Sequence, residues 1–131
     1  MRLLFLGDIV GKAARISIAE NLGNIKKQLS LDFVLVNAEN ATSGLGLSVP
    51  HAKLLFEAGV NCISLGDHAF DQNEMMNFAE RENRIIRPIN YAKSAPGSGF
   101  RLFNLEGKKI LILQVLGQVF MKKPFSDPFE A

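Results

Sequence analysis

Three short apolar segments, each followed within three residues by an acidic side chain, divide the first 70 residues of the chain. Leu3–Leu6 and residues 33–36 and 60–65 have the composition of buried strands. The first two are separated by residues 13–29, where apolar residues recur at helical spacing. Because strands alternate with helices, this half of the chain predicts a parallel α/β sheet with right-handed crossovers.

Two further helices are indicated by their start signals. Ser48 is a candidate N-cap, and Pro50 is tolerated in the first turn of a helix that runs to about residue 58. Residues 71–74 resemble a capping box with Asp71 as the N-cap, which starts a helix to about Arg81. The first part is therefore predicted as a βαβαβα unit.

The last third of the chain has a different pattern. Residues 100–104 and 109–115 flank a turn-like segment and predict a β-hairpin. Residues 117–131 show no helical period although they contain three phenylalanines, which suggests structure that continues beyond this chain. The predicted fold class is α/β, with the hairpin following the βαβαβα unit.

Composition excludes several classes of protein. A chain of 131 residues with a net charge of +2 suits one domain, and its basic residues form no large cluster. We therefore expect no stable nucleic-acid binding. The single cysteine, Cys62, is predicted to pack as a small buried hydrophobe. No signal peptide or membrane span is evident, so a cytoplasmic location is expected.

Acidic and amide side chains follow all three predicted strands. Asp8 follows the first strand, Glu39 and Asn40 the second, and Asp67 and His68 the third. The carboxyl ends of parallel strands meet at one edge of the sheet, where three carboxylates would repel each other unless a cation lay between them. Carboxylate, amide and imidazole ligands suit Mn²⁺, Mg²⁺, Fe or Zn²⁺.

Each of these residues also has a structural interpretation. Asp8 alone is an ordinary turn or N-cap residue, Asn40 suits a left-handed turn, and His68 could be a hydrogen-bonded core histidine. The second histidine, His51, is predicted to have only a surface role. Arg87 and Asn90 are weak candidates for phosphate contacts, and a structural turn is the preferred interpretation.

Several motifs resemble those of the calcineurin-like metallophosphoesterases and, more closely, the YmdB-like bacterial phosphodiesterases. The matching stretches are GDIVG (7–11), NAENA (37–41), GDHAFD (66–71), RPINY (87–91), PGSG (96–99) and DPF (127–129). The resemblance covers essentially the whole chain. It implies a layered metallophosphoesterase-type fold and hydrolysis of phosphodiesters, including cyclic nucleotides.

The resemblance also implies a dinuclear metal centre, with Fe or Mn as the expected ions and Mg or Zn as alternatives. By position, Asp8 and Asn40 would bind one metal, Glu39 would bridge both metals, and Asp67 would bind the second. His68 would be the proton donor or would stabilise the phosphate. The family usually has Asn where this chain has Asp67, whose extra charge should tighten the second metal and could lower its Lewis acidity.

The family's remaining ligands are histidines that have no counterpart here, since the chain contains only His51 and His68. Residues 1–131 are therefore expected to be the N-terminal part of a single metallophosphoesterase domain, apparently truncated. For this chain alone we then expect weak metal binding and little turnover. We also expect it to pair either with a second copy of itself or with a missing C-terminal segment. The alternatives are a non-catalytic regulatory or interaction fragment and a nucleotide-binding module that uses its glycine loops.

Overall fold

The computed structural model describes residues 1–131. Strands and helices alternate through the first two thirds, and a hairpin follows. The elements are β1 (Leu3–Leu6), α1 (Gly11–Leu29), β2 (Phe33–Asn37), α2 (Val49–Glu57), β3 (Cys62–Ser64), α3 (Glu74–Arg81), β4 (Ile85–Ile86), β5 (Phe100–Leu105) and β6 (Lys108–Leu113).

The first four strands form one parallel sheet in the order β1-β2-β3-β4. This confirms the predicted α/β class. Side chains alternate between the two faces of each strand. On one face, Val34, Val36 and Ile63 pack with Leu22 of α1 and Leu55 of α2 in a single buried cluster. All three helices contribute to that cluster, so they cover the same face of the sheet.

The hairpin covers the opposite face. Phe33, Cys62 and Ile86 point to this side and pack against Ile110 and Ile112 of β6. The prediction for Cys62 is confirmed, since its side chain is fully buried and burial raises the pKa of its thiol to about 12. The hairpin turns at Glu106 and Gly107, which both have positive φ, as a two-residue hairpin turn with the twist of the strands requires.

Several boundaries differ from the predictions. Helix α1 begins at Gly11, two residues earlier than expected, and β3 is shorter at both ends. The fourth parallel strand, Ile85–Ile86, was not predicted because two residues are too short to display a period. Ser48 is the N-cap of α2, but its side chain makes no capping hydrogen bond. None of the three helices is both long enough and apolar enough to cross a membrane.

Candidate metal centre

The residues predicted at the strand ends lie at the carboxyl edge of the parallel sheet. The loop after β1 is tied to the loop after β2, because the Ile9 amide donates to the Asn37 carbonyl at 3.1 Å and the Gly11 amide to the Asn40 carbonyl at 3.2 Å. The Ala38 amide in turn donates to the carbonyl of Ser64 at the end of β3, at 3.0 Å. The three loops therefore form one continuous rim.

Asp8 and Asn40 form one part of this rim. The Asn40 side-chain amide donates to Asp8 Oδ2 at 2.8 Å. Asp8 is exposed and Asn40 is half-buried. This contact leaves Asp8 Oδ1 and the Asn40 side-chain oxygen, both of which are types of ligand that divalent cations accept. The predicted pairing of these two residues in space is therefore present.

Glu39 is the most enclosed acid of the rim. Its carboxylate lies directly over Gly66, where a Cβ atom would overlap the carboxylate group. The His68 backbone amide donates to Glu39 Oε2 at 3.4 Å. Burial raises the pKa of the Glu39 carboxyl; the His68 hydrogen bond partly opposes this, and the nearby Asp67 and Asp8 carboxylates raise the pKa further. The rim thus concentrates negative charge around a half-buried acid.

His68 lies beside both Asp67 and Asp71. Its Nε2 is 3.7 Å from Asp67 Oδ2 and its Nδ1 is 2.5 Å from Asp71 Oδ2. Asp71 was predicted to cap α3, and this is wrong. The N-cap position belongs to Asn73, and the Asp71 carboxylate contacts His68 and Lys123 instead. The hydrogen bond from His68 and the contact with Lys123 hold the pKa of Asp71 below its usual value.

Tyr91 supports the loop after β3. Its hydroxyl lies 3.1 Å from the Gly66 carbonyl and 3.0 Å from the Asp67 carbonyl, to which it donates. Burial raises the pKa of Tyr91 to about 12, so the phenol stays protonated and can donate. This role was not predicted, and the only available signal was the single tyrosine of the chain within the RPINY stretch.

Donor chemistry at this edge fits divalent cations in part. Carboxylate and amide oxygens converge from three loops, and the glycine at position 66 makes room for the Glu39 carboxylate. However, no three His, Cys, Asp or Glu side chains are close enough to enclose an ion by themselves. The residues present therefore suit part of a coordination sphere, and further ligands would be needed to close it.

Three other candidates lie outside the rim. The guanidinium of Arg87 is buried and donates to main-chain carbonyls, among them Pro88 at 2.8 Å and Ala95 at 3.2 Å, so the preferred structural interpretation is confirmed. Asn90 is also buried and bonds the main chain after β6. His51 has more than the predicted surface role, because its Nδ1 is 2.7 Å from the Thr42 hydroxyl.

Comparison with known proteins agrees with this architecture. The chain is 32% identical over 129 residues to the 2′,3′-cyclic-nucleotide 2′-phosphodiesterase of Bacillus subtilis, covering 98% of this chain and 48% of that relative. A crystal structure of a hypothetical protein from Thermus thermophilus superposes with a TM-score of 0.92 at 39% identity, covering 99% of this chain and 50% of that one.

A second solved structure, a novel phosphatase from Mycoplasma pneumoniae, gives a TM-score of 0.89 at 38% identity over 98% of this chain and 47% of that one. The chain thus spans about half the length of the relatives it matches. The profile of one family, described as YmdB-like protein, matches residues 4–131. With nearly every residue covered by that match, the chain belongs to the YmdB-like protein family.

Proposed function

We propose that this chain supplies the first half of a metal-dependent phosphodiesterase site that acts on cyclic nucleotides or related phosphodiesters. The observation that carries the proposal is the rim of Asp8, Glu39, Asn40, Asp67 and His68 at the carboxyl edge of the sheet. The name of the Bacillus subtilis relative supports the substrate class. The single buried Cys62 is compatible with a cytoplasmic location, which is part of the proposal.

Asp8 and Asn40 would hold one divalent ion, Asp67 a second, and Glu39 would lie between them; Fe or Mn are the expected ions, with Mg or Zn as alternatives. Bound there, such ions would supply an activated water molecule and neutralise charge on the phosphoryl oxygens. Asp67 adds a full negative charge, where the family usually has an amide. This charge favours retention of the second ion.

His68 would act on the leaving group. Its Nε2 faces Asp67, whereas its Nδ1 is occupied by Asp71. A proton on Nε2 would pass to the leaving oxygen as the phosphorus–oxygen bond breaks, and the ring would be left neutral with its Nδ1 proton in place. This assignment requires the leaving oxygen of the substrate to lie within hydrogen-bonding distance of Nε2.

Calorimetric titration of the chain with Mn²⁺ tests the metal site. We expect about one or two ions to bind weakly, and Asp8→Asn to abolish the binding. Asp32→Asn is the matched control, since Asp32 precedes β2 at the opposite edge of the sheet and should bind as the parent does. Equal Mn²⁺ affinity in the parent and Asp8→Asn would contradict the proposal.

Gly66→Ala provides an independent test of the same site. The three atoms nearest to the new methyl group all belong to the Glu39 carboxylate, the far end of a flexible side chain, so the fold should persist while Mn²⁺ affinity falls. Circular dichroism and urea unfolding would establish the fold, and calorimetry the affinity. An unchanged affinity would show that the Glu39 carboxylate is not a ligand.

A non-catalytic role is the second candidate, because no three potential ligands enclose an ion in this structure. It predicts a folded chain that leaves a 2′,3′-cyclic nucleotide intact at saturating Mn²⁺. Hydrolysis that is lost in His68→Ala would exclude it. Metal binding without hydrolysis would favour a scaffold that is completed by other ligands.

A further inference from the structure

We infer that Asp71 and Lys123 are positioning residues for His68, which together hold its imidazole with Nδ1 protonated and Nε2 turned towards the metal-binding carboxylates. The meaning of this arrangement for catalysis rests on the proposed function. The arrangement itself does not depend on that function, because Asp71 contacts both His68 and Lys123 within this chain.

The hydrogen bond to Asp71 determines which nitrogen of His68 carries the proton. An ionised carboxylate only accepts hydrogen bonds, so at 2.5 Å from Asp71 Oδ2 the Nδ1 atom must donate. In the neutral ring Nε2 is then the free nitrogen, and it is this atom that lies 3.7 Å from Asp67 Oδ2. The ring is thereby oriented for proton exchange at the side of the candidate metal centre.

Lys123 holds the other oxygen of the same carboxylate. Its ammonium is 3.0 Å from Asp71 Oδ1 and also donates to the Asp67 carbonyl. The Lys123 ammonium group therefore contacts the loop of His68 at two points. With Oδ1 committed to Lys123 and Oδ2 to His68, the Asp71 carboxylate has a defined rotation about its side chain.

Lys123 is not placed there as an isolated surface lysine. The segment 116–126 is bound at both ends by the buried Asn90, which accepts from the Leu116 amide at 2.9 Å and donates to the Leu116 and Ser126 carbonyls at 2.8 and 3.0 Å. Phe125 also packs against Tyr91, with ring centroids 5.0 Å apart. The loop between these anchors brings Lys123 close to the loop of His68. The Lys123–Asp71 ion pair is therefore positioned by the fold, unlike an ordinary ion pair between two flexible surface side chains.

Two simpler explanations for Asp71 fail on the structure. It does not cap α3, because that helix begins at Glu74 with Asn73 as its N-cap and no side-chain cap is formed. Nor does the ion pair with Lys123 account for all contacts of the Asp71 carboxylate, because Oδ2 also lies 2.5 Å from the imidazole of His68. The contacts of Asp71 are thus directed to the candidate catalytic histidine.

Nitrogen-15 NMR of the imidazole rings, recorded on the metal-free chain at a pH where both rings are neutral, tests the inference. We expect His68 to be the Nδ1–H tautomer. His51 provides a second imidazole in the same spectra, with its Nδ1 2.7 Å from the Thr42 hydroxyl, a group that can either donate or accept there. A predominant Nε2–H tautomer at His68 in the parent chain would overturn the inference without any variant.

Asp71→Asn should invert the tautomer of His68. Lys123 only donates, so it would keep the amide oxygen, and the amide NH₂ group would then face Nδ1 and donate to it. Lys123→Ala should reduce the Nδ1–H population by a smaller amount, and Lys122→Ala, which alters an exposed neighbour, should leave it unchanged. An unchanged His68 tautomer in Asp71→Asn would overturn the inference.

Hydrolysis of a 2′,3′-cyclic nucleotide with Mn²⁺ in the same samples separates the inference from the proposed function. We expect Asp71→Asn to lower kcat about 10–100-fold with little change in KM, as for other supporting residues around metal sites. If the parent chain neither binds Mn²⁺ nor turns over, the proposed function fails while the tautomer still decides the positioning. If turnover is normal in a variant with an inverted tautomer, the positioning has no catalytic consequence and the inference fails.

Discussion

The helix-covered face of the sheet buries sixteen side chains in one cluster, whereas the hairpin-covered face buries five. On the hairpin-covered face, the hairpin leaves part of β1 uncovered, and its side chains Leu3 and Phe5 are 42% and 56% exposed. The outward side of the hairpin is also apolar, and Leu102 and Leu111 are 58% and 59% exposed. One face is thus closed by the chain itself, and the other keeps an apolar surface.

Polar groups show the same contrast. Three buried side-chain atoms have no hydrogen-bonding partner in the chain: Asn37 Oδ1, Ser64 Oγ and Arg101 Nε. Asn37 and Ser64 belong to strands of the sheet and Arg101 to a strand of the hairpin, the two layers that pack against each other on this side. Because buried polar groups are normally paired, hydrogen bonding is less complete on the hairpin side than on the helix side.

The largest expected effect is in the helix-covered core. Leu55→Ala should lower the free energy of unfolding by about 3 kcal/mol, because it opens a cavity in the fully buried cluster between sheet and helices. Urea unfolding monitored by circular dichroism measures this. Lys53→Ala on the exposed side of α2 is the control and should change stability little.

A smaller loss is expected on the other face. Ile110→Ala should cost about 2 kcal/mol, since Ile110 is 9% exposed under a two-stranded hairpin. Its neighbour Leu111 points outward, and Leu111→Ala should cost less than about 0.5 kcal/mol. If Ile110→Ala proved as costly as Leu55→Ala, the distinction between the two faces would not hold.

The unpartnered hydroxyl of Ser64 predicts a change of the opposite sign. Ser64→Ala should leave stability unchanged or raise it by up to about 1 kcal/mol, because the buried hydroxyl makes no hydrogen bond in the chain. Ser98→Ala removes a hydroxyl that is hydrogen-bonded to the Phe100 carbonyl at 2.8 Å, and should destabilise. A clear loss in Ser64→Ala would mean that its hydroxyl is bonded, for instance through water.

The smallest expected effect concerns a surface ion pair between α3 and β4, on the helix-covered side of the sheet. Arg84 stacks 3.8 Å above the Phe56 ring and lies 2.7 Å from Glu82, whose pKa it lowers by hydrogen bonding. This pair stabilises the fold when Glu82 is ionised, so its contribution is present above the ordinary glutamate pKa of 4.5 and is lost as the pH falls through the lowered value.

Glu82→Gln should therefore lower stability by about 0.5 kcal/mol at neutral pH and flatten the loss of stability on acidification. Urea midpoints measured across the acidic range check this. Glu57→Gln replaces a glutamate without a charged partner, and its pH profile should match that of the parent. A Glu82→Gln profile identical to the parent's would show that the ion pair contributes nothing measurable.

The local sequence determined the order of elements and the placement of the polar residues. Periodicity within single segments is sufficient to recognise β1, α1 and the hairpin, and the rule that parallel strand ends share an edge is sufficient to bring Asp8, Glu39 and Asp67 together. Their identity as metal ligands stays a prediction. Local signals failed for β4, whose two residues display no period.

Only the tertiary structure decided how the third strand end is supported. Asp71 follows a pattern typical of a helix cap, yet its carboxylate binds His68 and a lysine 52 residues further along the chain. Asn90, within a turn-like stretch, bonds the main chain 26 and 36 residues away. Such partners are set by how the later segment folds back over the sheet, and no periodicity or spacing in the sequence encodes that approach. Capping and turn propensities are local and weak, so a charged partner brought close by packing outweighs them.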